Sequence, residues 1–145
     1  MAAGLMLYFD TSALLKLYLK ETETEQVTAL FAQAMVSCSH LIAYAEMRAG
    51  LARAVRTRRI DEAELAHQNA CFEADWSSIN VIKPDENLIR RAGDLAQQFG
   101  LRGYDSVHLA AAEAVWRALP GVDFRFVAFD GQLTRAAGVL GMGLL

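Results

Sequence analysis

The chain is 145 residues long, 54% hydrophobic and 21% charged, with a formal net charge of −3. That length suits one domain with a real core, and that apolar content excludes a disordered chain. No apolar run approaches the roughly 18 residues of a membrane span, no basic stretch precedes a signal-like core, and the acidic balance excludes global attraction to nucleic acid, so any such contact needs a local basic patch.

In chain order, Leu5-Met6-Leu7-Tyr8-Phe9 reads as a buried strand that runs straight into Asp10. A carboxylate there is costly unless water, a helix N-terminus or a cation receives it. Thr11 and Ser12 follow, then a helical run from Ala13 to Leu19, the entry of an α/β unit. Thr22-x-x-Glu25 reads as a capping box ahead of Val27, Leu30, Phe31 and Ala34 at helical spacing. Val36 to Cys38 is a short strand, and a helix from Ser39 or His40 runs through Arg56. Asp61-x-x-Glu64 opens another helix carrying Leu65, Phe72 and Trp76. Ser78 to Ile82 is a third strand, closed by Lys83-Pro84. Asp85 caps a helix patterned by Leu88, Ala92, Leu95 and Phe99 and stopped by Gly100. Gly103 precedes a helix through Trp116, ended at Pro120-Gly121. Phe124 to Phe129 is the clearest strand and again ends in an acid, Asp130; a short helix follows Gly131, and Met142 to Leu145 reads as a last edge strand. Strands alternating with helices predict a mostly parallel sheet covered on both faces, in one domain spanning residues 1–145. Cys38 and Cys71 match no metal-ligand spacing, and reduced thiols in a cytoplasmic setting are expected.

Four acids draw attention. Parallel strands point the same way, so Asp10 and Asp130 share the carboxyl edge of the sheet, where open α/β sheets bind ligands. Each also suits the cap of the following helix. Glu46 sits mid-helix with Ile42, Ala43, Ala49 and Gly50 at i±3 and i±4, so no ion pair along the helix holds it, and the small residues imply close packing. Asp105 falls in the first turn of a helix whose next residues, Val107 to Ala112, are almost wholly apolar; the helix dipole and a site role both favour an acid there. His108, on that apolar face, reads as a packed, hydrogen-bonded histidine. Four carboxylates brought together repel unless cations neutralise them, and hard divalent ions with oxygen ligands, Mg²⁺ or Mn²⁺, do so. Two such ions balance the four negative charges and suit phosphoryl transfer. Thr11 and Ser12 either support Asp10 and a phosphate or simply start the helix.

Asp10-Thr11-Ser12-Ala13-Leu14, Tyr44-Ala45-Glu46, Gly103-Tyr104-Asp105-Ser106-Val107-His108-Leu109-Ala110-Ala111-Ala112 and Phe129-Asp130-x-x-Leu133-x-x-Ala136-Ala137 together resemble the PIN-domain nucleases, and most of all the VapC-type toxins of bacterial toxin–antitoxin pairs. The resemblance covers nearly the whole chain in order and spacing. It implies a three-layer α/β/α fold, endoribonuclease activity, an acidic quartet of Asp10, Glu46, Asp105 and Asp130 on Mg²⁺ or Mn²⁺, and a supporting hydroxyl from Thr11 or Ser12. It also implies a homodimer and an antitoxin segment that reaches the active site, with an arginine competing for the acids. Ala128 stands where many members have Thr or Ser, which weakens hydroxyl support near Asp130 and leaves that acid to act through water.

Between Met47 and Ile60 lie five arginines, Arg48, Arg53, Arg56, Arg58 and Arg59, and no acid. Arginine suits bidentate phosphate contact, so this stretch, with Arg102, is the expected RNA-binding surface, or else a solvated helix end. Binding there should weaken with salt. The crowded apolar residues Leu14, Leu15, Leu17, Tyr18, Tyr44, Met47 and Leu51 read as core, with some available to line a groove for a partner helix or a second copy. Two other functions compete. A phosphohydrolase with an aspartyl-phosphate intermediate would, in the haloacid-dehalogenase-like pattern, carry a second acid two residues after the first, where this chain has Ser12. A non-catalytic RNA- or partner-binding module would not need the complete quartet.

Overall fold

Strand β1 (Met6–Phe9) is buried along its whole length because it lies inside the sheet and both its faces meet helices. The computed structural model describes residues 4–145. Strands β1, β2 (Val36–His40), β3 (Asn80–Ile82) and β4 (Phe124–Val127) are parallel in the order β3-β2-β1-β4, with Tyr8 opposite Cys38 on one side and Phe126 on the other. Side chains alternate across a strand. Leu7 and Phe9 therefore pack into one apolar layer with α1 (Thr11–Leu15), α2 (Thr24–Gln33), α3 (Ile42–Arg56) and α4 (Glu62–Trp76). Met6 and Tyr8 face the other, with α5 (Glu86–Phe99), α6 (Gly103–Ala118) and α7 (Gly131–Leu140). The result is the three-layer α/β/α sandwich.

The strand order positions the site. The chain steps outward from β1 to β2 to β3, then crosses back through α5 and α6 to β4 on the far side of β1. The winding reverses between β1 and β4, and the carboxyl ends beside such a reversal form a crevice. Asp10 and Asp130 stand there.

Asp61 and Asp85 cap α4 and α5 as expected, accepting from Glu64 N and Leu88 N at 2.8 Å, and Gly100 ends α5 at φ +66°. Gly50 explains the small stripe on α3, since a Cβ there would lie 2.9 Å from the Leu15 side chain of α1. Other boundaries move. Helix α1 stops at Leu15 rather than Leu19, because Lys16, Leu17 and Tyr18 donate to carbonyls three residues back, tightening the last turn. The Thr22–Glu25 capping box does not form: α2 starts at Thr24, whose hydroxyl accepts from Glu21 N and donates to Leu19 O. Strand β2 continues to His40, and α3 begins only at Ile42, whose N–H is received by His40 Nδ1 at 2.9 Å. Strand β4 ends at Val127, and Met142–Leu145 forms no strand. It makes one parallel bridge, Arg125 to Gly143, with Phe126 N donating to Gly143 O at 2.8 Å. The approach is so close that a Cβ at Gly143 would sit 2.6 Å from Phe124 O.

Both cysteines are free, and burial pushes the Cys38 thiol up to about 11. Among the described residues no helix is long and apolar enough to cross a membrane.

Candidate active site

Asp10 leaves β1 with its backbone still in the sheet, its N–H donating to Val127 O at 3.2 Å. Its carboxylate caps α1, accepting from Ala13 N at 2.8 Å, and receives the Ser12 hydroxyl at 2.9 Å. The cap and the site position are thus one arrangement. Asp10 is only 4% exposed, and burial pushes its carboxyl up to about 6, against the pull of His108, Ala13 N and Ser12. Asp130 repeats the geometry at the end of β4, capping α7 by accepting from Leu133 N at 2.9 Å.

Glu46 projects from α3 and finds its partners on other elements. Its Oε1 accepts from Thr11 Oγ1 at 2.7 Å and from His108 Nε2 at 2.9 Å. His108 is buried, as expected of a packed histidine, and its Nδ1 lies 2.8 Å from the Tyr8 hydroxyl. The Glu46 carboxylate can only accept, so Nε2 carries the proton of that contact. Burial, followed by the nearby Asp10 charge, raises the Tyr8 phenol well above its ordinary range, so it stays protonated beside Nδ1. Burial alone would raise the Glu46 carboxyl, but the hydrogen bonds from His108 and Thr11 outweigh it and hold the group below its ordinary value. His40 lies nearby at the end of β2; its Nε2 is buried without a partner among the described residues, and burial lowers its pKa.

Asp105 sits in the first turn of α6, where its Oδ2 accepts from Arg102 Nε at 3.1 Å. The Arg102 guanidinium lies 4.8 Å from the centre of the Tyr104 ring.

Asp10, Glu46, Asp105 and Asp130 line one cleft of about 520 Å³, together with Thr11, Ser12, Lys16, Arg53, Arg102, Tyr104 and His108. A second cleft of about 520 Å³ continues from it along Leu15, Lys16 and Arg53 to Arg59. The expected arginine surface divides. Arg53 and Arg102 reach the acid cleft. Arg48 does not: it turns to Glu73, 3.7 Å away, and to the Tyr44 hydroxyl. Arg56 is exposed and lines neither cleft. Sequence reasoning missed Lys16, which is buried, bound to Glu23 at 2.9 Å and set over the Phe129 ring at 5.1 Å. No sequence signal marked it, since packing places it there. Tyr104 was also missed as a cleft residue, although it adjoins Asp105 in sequence.

Among the described residues no three acidic, histidine or cysteine side chains yet converge as a closed ion site. The donor chemistry nevertheless fits a hard divalent cation. The four acids offer carboxylate oxygen, and a buried Asp10 with a raised pKa is a carboxylate short of positive charge.

A family model described as PIN domain matches residues 7–138. Ribonuclease VapC49 of Mycobacterium tuberculosis (strain ATCC 25618 / H37Rv) is 38% identical over 110 residues, 76% of each chain. Among solved structures, the sarcin–ricin loop cleaving toxin VapC20 of Mycobacterium tuberculosis superposes with a TM-score of 0.66 at 17% identity, over 90% of this chain and 94% of that one. A toxin–antitoxin complex from Klebsiella pneumoniae gives 0.59 at 24% identity, over 82% and 83%. At those identities the two structures speak for the fold.

Proposed function

The chain belongs to the PIN domain family, and from that premise we propose that it is a single-domain, Mg²⁺- or Mn²⁺-dependent endoribonuclease acting as the toxin of a toxin–antitoxin pair in the cytoplasm. The observation that carries this reading is the meeting of Asp10, Glu46, Asp105 and Asp130, from four separate elements, in one cleft at the switch point of the sheet. The 38% identity to a VapC ribonuclease supports the choice of RNA, and the likeness to a toxin–antitoxin complex supports an antitoxin partner. A homodimer remains part of the proposal.

In this mechanism Asp10, Glu46 and Asp105 would hold the cation, and Asp130 would act through water. When bound, a divalent ion supplies Lewis acidity to an attacking water and to the departing oxygen of the phosphodiester. The protein's own work is orientation. The Thr11 hydroxyl and His108 Nε2–H fix the Glu46 carboxylate, and Ser12 fixes that of Asp10. Outer partners of this kind typically matter by 10- to 100-fold in metal affinity or activity. Arg102, held by Asp105, would meet the RNA on that wall and Arg53 a phosphate on the other; Arg48 and Arg56 are not assigned to the substrate.

The test is cleavage of end-labelled total RNA by purified protein with Mg²⁺ or Mn²⁺. Discrete fragments are expected that disappear with EDTA and with Asp10→Asn. Fragments that persist in both controls would overturn the assignment.

A further inference from the structure

Tyr104 is 40% exposed at the lip of the acid cleft, although the rest of α6 from Ser106 to Glu113 is mostly buried. Its hydroxyl makes no hydrogen bond among the described residues. Arg102 lies against the ring at 4.8 Å and is itself held by Asp105 Oδ2 at 3.1 Å, so a guanidinium plane and an aromatic ring are fixed beside a carboxylate of the quartet. We propose that Tyr104 and Arg102 form a stacking shelf for one unpaired nucleobase of the RNA substrate, next to the phosphate that is cut. The inference rests on the nuclease reading and adds the contact that selects single-stranded RNA.

The electrostatics of the cleft call for such a contact. On this side Asp105 and Arg102 pair with each other, so their charges largely cancel and affinity there needs a contact of another kind. Base stacking on an aromatic or guanidinium plane supplies it and tolerates any sequence, because every base has a π-face. On the opposite wall Arg53 offers positive charge. A strand crossing the cleft thus meets a cation on one side and a ring on the other. Tyr104 and Asp105 are consecutive and line the same cleft, which puts the stacked base beside the acids. Duplex RNA keeps its bases inside the helix and cannot reach the shelf without unstacking, so loops and single strands are the class of substrate implied.

The experiment uses 12-nucleotide single-stranded oligoribonucleotides carrying one 2-aminopurine, with Mn²⁺ and with every protein in the Asp10→Asn background so that no probe is cut. The expected result is that Tyr104→Leu weakens binding by about 5- to 150-fold and removes the 2-aminopurine quench. Tyr104→Trp should restore both, and the dependence of binding on salt should be the same for all three. Far-ultraviolet circular dichroism and melting confirm that each variant is folded. Binding and quench that survive Tyr104→Leu would overturn the shelf while leaving the nuclease reading intact. A loss equal for Leu and Trp would also overturn it, since a stack tolerates any aromatic ring. An Asp10→Asn protein that keeps Tyr104 and shows neither binding nor quench with any of these oligoribonucleotides would overturn the shelf alone; the nuclease reading falls only if protein with native Asp10 leaves total RNA uncut.

Discussion

Asp10 carries two duties in one side chain. It caps α1, which any good N-cap can do, and it keeps a carboxylate in a buried place, which costs stability. The sign of that cost is fixed by its pKa, raised from 3.8 to about 6. Below pH 3.8 the group is protonated in the folded and unfolded chain alike, and no difference arises. As the pH rises towards 6 the unfolded chain gives up its proton first, so the fold loses stability across that window. Above it the full penalty stands, on the order of 3 kcal/mol. Asn caps a helix as well as Asp and has no charge to bury. Asp10→Asn is therefore expected to melt at a higher temperature than the parent at pH 7.5 without divalent ions, with the gap closing at pH 4. Mn²⁺ should raise the melting temperature of the parent and leave that of the variant nearly unchanged. Identical melting of the two proteins at pH 7.5 would show that burial of the carboxylate is not being felt.

Helices α5 and α6 are joined by a comparable device with the opposite sign. Glu113 is buried on α6, yet Arg91 of α5 reaches it through two hydrogen bonds of 2.8 and 2.9 Å, and Arg117 approaches at 3.3 Å. The Arg91 hydrogen bonds hold the Glu113 carboxyl below its ordinary value despite burial. Arg91→Ala leaves that carboxylate with Arg117 alone and is expected to cost about 1–3 kcal/mol in urea unfolding at pH 7, the penalty of an under-satisfied buried charge. The pair stabilises the fold above the ordinary glutamate pKa, so the difference between variant and parent should shrink as the pH falls below 4.5. This pin was not legible in the sequence, since Arg91 and Glu113 meet only after the two helices fold back on each other. Elements with strong local signals were legible: β1 and β4 as apolar runs, and α5 between Asp85 and Gly100. Boundaries decided by tertiary contacts were not. Thr24, rather than Thr22, closes the turn before α2, and the tail after Gly141 is shaped by contact with β4. The acids of the site could be read because each sits at the end of a strand pattern or on an apolar helix. Lys16 and Tyr104 could not, because what places them in the cleft is packing. For the same reason the arginine run was legible as a patch, while the turn of Arg48 towards Glu73 was not.

The whole molecule carries net negative charge, yet the cleft opens into a groove bearing Arg53 and Arg59, where Lys16 is already paired with Glu21 and Glu23. RNA affinity should therefore depend on a few residues rather than on the overall field. Arg53→Gln is expected to weaken binding of single-stranded RNA and to lower the slope of log affinity against log salt by about one phosphate contact. Arg48→Gln should leave that slope in place. Fluorescence titrations from 50 to 300 mM salt, roughly the range over which counterion release is resolved, check both. The sheet order has a further result, in time rather than in space. Strand β1 is made first, but its neighbour β4 is made last, and Asp10, Glu46, Asp105 and Asp130 are spread along almost the entire chain between them. A ribosome must release residue 130 before the last acid can join the others. Translation products that end before residue 130, and fragments from any single cut between residues 10 and 130 that then part, lack the complete set of acids. A cleft built this way stays incomplete until the polypeptide is nearly finished, and its silence during synthesis needs no inhibitor.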